Sequence, residues 1–190
     1  MPRVTVLYFA QLRELRGADD ESLVTAAATT GALWQELSTR HRLAFPTATD
    51  FLITEQAIDV LVLGRRLDHV QAGAQVVFSG TVRDHHGGRA VRHLNYEGYT
   101  PLARRTGSSI LAESRTRWPL LAAIGCHRLG QLEIGALAVW IGVATAHRAD
   151  AFAACAWIMD EVKARVPVWK RETYADGEVV WSQGTVITQP

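Results

Sequence analysis

The sequence predicts an α+β fold, and three observations lead to it. Stretches at 51–54, 72–83, 94–99, 120–135 and 136–146 read as strands, with β-branched residues concentrated in 51–54, 72–83 and 136–146. Two long stretches, 100–118 and 147–166, instead carry their apolar residues at helical spacing. The two kinds mix without the regular β-α-β alternation that a doubly wound sheet requires.

In chain order, "VTVLYFA" (4–10) predicts a buried strand, and 29–43 an amphipathic helix with Leu33, Leu37 and Trp34 facing inward. Strand, loop and helix up to Pro46 are too little to close a core alone. "PTATD" (46–50) has linker composition, with residues 47–50 dividing a segment 1–46 from a domain 51–190. There the pattern restarts: "FLIT" (51–54) is a strand, 55–68 a helix, and 72–83 a strand running into the basic glycine-bearing loop "RDHHGGRAVRH" (83–93). After the strand 94–99, Thr100 and Pro101 suit the N-cap and first position of the helix 100–118, which Pro119 ends. Two strands about a glycine turn follow, then the helix 147–166, stopped by Pro167, and a hairpin over 168–181 turning at Asp176-Gly177.

Bulk properties exclude several classes. Of 190 residues 48% are hydrophobic and the net charge is +1, which argues for a folded chain and gives no reason to expect nucleic-acid or membrane-surface binding. Cys126 and Cys155 lack CxxC spacing and read as core thiols of a reducing compartment. The N-terminus lacks a signal-peptide apolar core, and no apolar run approaches about 18 residues, so a soluble cytoplasmic protein is expected.

Local charge is more informative. On the helix 147–166, Lys163 falls within the arc of Phe152, Cys155, Met159, Val162 and Val166. Either it snorkels from the edge of the core, or it meets a partner there. His147 and Arg148 stand in the first turn, where positive charge opposes the helix dipole. They are either a solvated pair or, with the free backbone N–H groups and a cap from Thr145, part of an anion site. Arg83, Lys170 and Arg171 share this character, and all could converge on one phosphate-bearing ligand. His85, His86 and His93 lack a standard metal spacing, and no metal is expected. "SGTVRDHHGG" is neither a Walker loop nor a GxGxxG fingerprint.

The blocks "FLITEQAID", "VVFSGTVRDHHGGRAVRHLNYEGYTPLA", "CHRLGQLEIG" and "VATAHRADAFAACAWIMDEVKARVPVWKRE" resemble, in order, the large catalytic subunit of molybdopterin synthase, the MoaE family. The resemblance spans about residues 51–181 and implies an α/β hammerhead-type domain. "VTVLYFAQLRELRGADDESL" resembles the opening of the small sulfur-carrying subunit, MoaD, a ubiquitin-like β-grasp protein. Together they imply a MoaD–MoaE fusion whose carrier part is partial: the likeness stops near Pro46, and no Gly-Gly end precedes the linker. Either the carrier part is a degenerate remnant, in which case a carrier acting in trans is expected, or a stretch of it is missing from the sequence.

The resemblance implies sulfur transfer. Thiocarboxylates at the small subunit's C-terminus would pass two sulfurs to cyclic pyranopterin monophosphate, making the dithiolene of molybdopterin, with no tightly bound cofactor and on a homodimer. Carried over residue by residue, Lys163 and Lys170 would be catalytic, with Lys163 nearest the thiocarboxylate. Thr81, Val82, Arg83, His147, Arg148, Arg171 and Glu172 would bind substrate, and Phe78 and Met159 would shape the pocket. One departure is Gly135-Ala136, where the family usually carries an acid. The competing expectation is a non-catalytic or regulatory module that docks the carrier or the pterin.

Overall fold

A computed structural model describes residues 3–7, 18, 20–28, 33, 36–37, 40–41 and 49–182. The chain divides into two units, residues 1–47 and 48–190.

In the first unit β1 (Arg3–Leu7) pairs antiparallel with β2 (Asp20–Val24). The sequence reading placed a loop at β2, because the charged residues of "DESLV" mask its single buried position, Leu23. Leu33, Glu36, Leu37, Arg40 and His41 are helical, and Leu37 is buried. His41 reaches back to Glu21 of β2 at 2.8 Å. The expectations for residues 8–10, Trp34 and residues 42–48 lie outside the described residues.

The second unit begins with β3 (Thr49–Thr54), which starts two residues inside the stretch read as linker; Asp50 there is buried, with Arg66 at 3.5 Å. The strand joins β4 (Ala74–Thr81), β7 (Leu120–Arg128) and β9 (Leu137–Thr145) in a four-stranded sheet of order β3-β7-β9-β4. Only the β3–β7 pairing is parallel. Both faces of this sheet are covered, which explains its continuous apolar runs. Phe51, Ala123, Val139, Ile141 and Val143 pack on one side with α2 (Thr100–Arg117) and α3 (Arg148–Arg165). Ala122, Ile124, Cys126, Trp140 and Ala144 pack on the other with Leu63 of the short helix α1 (Val60–Arg65). Both cysteines are buried and free.

The second sheet contains β5 (His85–His86), β6 (Arg89–Gly98), β10 (Val168–Tyr174) and β11 (Val179–Ser182), in the order β11-β10-β6-β5, with β8 (Gly130–Glu133) also on β6. Val91, Leu94, Leu132 and Tyr174 supply its core.

Several elements differ from the sequence reading for identifiable reasons. The helix expected over 55–68 is only α1, because the Asp59 side chain accepts from the N–H groups of Leu61 and Val62 and starts it there. Tyr99, not Thr100, is the N-cap of α2. The loop 83–93 is largely a hairpin: Gly87 and Gly88, at φ 57° and 78°, make the two-residue turn between β5 and β6. The strand expected over 120–135 breaks at Gly130, φ 87°, and its second half leaves for the other sheet. Among the described residues no helix is long and apolar enough to cross a membrane.

Candidate functional site

The two sheets and the C-terminal half of α3 enclose a cavity of about 660 Å³. Each wall follows from local structure. On β10, strand alternation turns Val168, Lys170 and Glu172 inward, opposite Gly98, Tyr96 and Leu94 of β6. On β4, an irregularity between Gly80 and Thr81 interrupts the pairing with β9 just where Phe78, Thr81 and then Arg83 reach the cavity. Gly80 is needed there, since a Cβ would stand 2.6 Å from Val139 Cγ1. On α3, Met159, Val162 and Lys163 line the cavity together with Val166.

That placement resolves the position of Lys163. Of its helix arc, Cys155, Met159, Val162 and Val166 are buried against the core or line the cavity, whereas Phe152, expected on the same face, is 64% exposed; Lys163 is exposed into the cavity. Among the described residues neither Lys163 nor Arg83 has an ion-pair or hydrogen-bond partner. Lys170 differs: its Nζ lies 2.6 Å from Oε1 of Glu172.

Glu172 is 2% exposed and its carboxylate meets three partners. Besides Lys170, it accepts from His86 Nδ1 at 2.7 Å and from the Tyr174 hydroxyl at 2.5 Å. Burial alone would raise this carboxyl, but the hydrogen bonds from Lys170, Tyr174 and His86 outweigh it and hold the group down at about 2. Glu172 lines the cavity and fixes the groups around it. Burial, helped by the negative charge of Glu172, pushes the Tyr96 phenol up to about 12, so its hydroxyl stays protonated.

Of the residues singled out from sequence, Phe78, Thr81, Arg83, Met159, Lys163, Lys170 and Glu172 share this cavity. Four do not. Val82 is buried beside Val91 and Leu132, its N–H bonded to Ala136 and its carbonyl to Gly135. Arg171 faces the other side of β10, 3.9 Å from Glu97 and stacked over Trp181. His147 and Arg148 open α3, exposed in a separate depression with Gly73 and Phe152. Arg148 and Lys163 are 15 positions apart on one helix, about 22 Å at 1.5 Å per residue. Thr145 does not cap the helix as expected: its hydroxyl donates to the carbonyl of His147. His86, Tyr96 and His127 line the cavity without having been singled out as binding groups. "CHRLG" carried the only available signal for His127.

The MoaE protein family model matches residues 53–165. The molybdopterin synthase catalytic subunit of Arabidopsis thaliana is 41% identical over 137 residues, 67% of this chain and 69% of that protein. The crystal structure of molybdopterin synthase from Staphylococcus aureus superposes at a TM-score of 0.66, with 31% identity, over 73% of this chain and 98% of that one. The complex of subunits 1 and 2 of molybdopterin-converting factor from Helicobacter pylori shares the fold at a TM-score of 0.58 and 18% identity, over 70% of this chain and 90% of that one.

Proposed function

The chain belongs to the MoaE family, and from that membership we propose that it is a molybdopterin synthase catalytic subunit, an enzyme of molybdenum cofactor biosynthesis that transfers sulfur. Each of two thiocarboxylated carrier subunits gives one sulfur to cyclic pyranopterin monophosphate. On the pterin side chain each new carbon–sulfur bond replaces a carbon–oxygen bond, hydrolysis releases each carrier as a carboxylate, and the product is the dithiolene of molybdopterin.

The observation that carries this reading is a pair of cations, Lys163 and Arg83, that have no ion-pair partner among the described residues and line a cavity whose wall mixes apolar and polar groups. Both reactants are anionic, through the pterin's phosphate and the carrier's thiocarboxylate. Two unit charges 4 Å apart attract by about 1 kcal/mol in water and about 4 kcal/mol near a protein surface, so such a site favours both reactants and the charge that develops between them. Lys163 serves the thiocarboxylate, steadying negative charge on its carbonyl oxygen or handling a proton. Lys170, held by the buried Glu172, orients substrate from a fixed position. Arg83 and Thr81 hold the pterin's anionic part, and Phe78 and Met159 shape the space around it.

The 22 Å separation of Arg148 from Lys163 exceeds what one pterin monophosphate spans. His147 and Arg148 therefore reach the pterin only from a second copy, in a homodimer that brings the start of one α3 to the cavity of the other. The carrier acts in trans.

Single-turnover conversion of cyclic pyranopterin monophosphate, with and without an added thiocarboxylated small subunit, tests the reading. Molybdopterin is expected only with the carrier. Its absence in both cases, from folded chain of correct mass, overturns the proposal in favour of a binding module.

A further inference from the structure

The cavity wall holds a polar atom for which the described residues supply no partner. His127, near the end of β7, lines the cavity and is 8% exposed. Its Nδ1 lies 2.9 Å from the carbonyl oxygen of Arg128. A carbonyl only accepts, so Nδ1 carries the proton. Burial pushes the imidazole below its ordinary range, more than the bond to Arg128 raises it, so the ring is neutral and Nε2 presents a lone pair. Among the described residues nothing donates to that lone pair. The ring plane is steadied by Tyr96, which meets it nearly edge-on with centroids 5.0 Å apart.

Leaving a buried acceptor unpaired costs more than an ordinary hydrogen bond returns, so an unpaired one on a cavity wall calls for an explanation. The chemistry of the atom selects its partner. A lone pair repels phosphate and thiocarboxylate oxygens, so the group that meets it must be a donor. The surrounding wall, Tyr96, Leu94 and Ala138, suits a flat ring better than an anionic tail.

We infer that His127 Nε2 is a recognition point for the heterocycle, accepting a hydrogen bond from an N–H of the reduced pterin and so setting which way round the ring lies in the cavity. The cations hold the anionic ends and His127 reads the ring edge. This inference rests on the function proposed above, and the carrier's backbone N–H groups are the other donors able to enter.

The test is a titration followed by ¹⁵N resonances of labelled histidine, with His127→Phe assigning the signal. Cyclic pyranopterin monophosphate should move the Nε2 resonance toward the range of a hydrogen-bonded nitrogen and leave the protonated Nδ1 in place. Small subunit with an ordinary carboxylate terminus should leave both unmoved. His127→Phe should bind the pterin roughly tenfold more weakly, about the worth of one hydrogen bond. An Nε2 signal unmoved at saturating pterin, or moved by the carrier alone, overturns the inference while leaving the catalytic reading intact. Failure of the wild-type chain to bind the pterin at all overturns both.

Discussion

Glu172 shows how much of this site is decided by single buried atoms. Its carboxylate meets Lys170, His86 and Tyr174 together, and its folded pKa of about 2 lies below the ordinary 4.5. A carboxyl lowered on folding contributes stability that is fully present above its unfolded value. That contribution is lost as pH falls toward the folded one, because the unfolded chain takes up the proton first. Glu172→Gln should therefore be less stable than wild type at pH 7, by on the order of 3 kcal/mol. The gap should close between about pH 4.5 and 2 in denaturant titrations. A pH-independent gap would contradict the assignment. The variant should also lose turnover, since Lys170 no longer has its anchor. Strand alternation in "KRE" suffices to put Lys170 and Glu172 on one face and Arg171 on the other, yet the sequence reading set Arg171 beside Lys170. It did not show that the carboxylate is buried, because that depends on His86 arriving from a hairpin 86 positions away.

At the scale of elements, α2 packs close against the four-stranded sheet, away from the cavity, which no residue of α2 lines. The contact is built around Phe51, whose ring lies where a Cβ on Gly107 of α2 or on Gly125 of β7 would stand, at 2.2 Å and 2.3 Å. Gly107→Ala must push the helix and sheet apart and should cost about 1–3 kcal/mol, read as a lower denaturant midpoint. A midpoint at or above that of wild type would show that the interface is looser than described. Activity should fall only as the folded fraction does, since Gly107 does not line the cavity. The long helices and the strands β4, β7 and β9 were legible because period and composition agree in them, although β4, read as a buried strand, is a sheet edge with Val77 and Phe78 exposed. The hairpin β5–β6, the break at Gly130 and the short α1 were not. Each is fixed by a backbone detail, a positive φ or a side-chain cap, that leaves the hydrophobic pattern unchanged.

For the whole molecule, local charge suggested that Arg83, His147, Arg148, Lys163, Lys170 and Arg171 could converge on one ligand, and the family resemblance grouped them in the same way. Helix arithmetic was already enough to separate Arg148 from Lys163, and the fold places them at opposite ends of α3. If a second copy supplies Arg148, mixing Lys163→Ala with Arg148→Ala chains should restore activity that neither variant has at low pterin concentration. With random exchange about a quarter of wild-type activity is expected, since half the dimers are mixed and each of those holds one intact site. No recovery after verified exchange would place the two residues' work within one chain or remove Arg148 from it.

The most direct test of the account is single-turnover sulfur transfer by Lys163→Ala, with thiocarboxylated small subunit and cyclic pyranopterin monophosphate in excess. Lys163 is exposed, without an ion-pair or hydrogen-bond partner among the described residues, and lines the cavity. Its loss should shift stability by no more than about 0.5 kcal/mol while molybdopterin formation disappears. Near-normal turnover by this variant would contradict the claim that the free cation on α3 carries the chemistry.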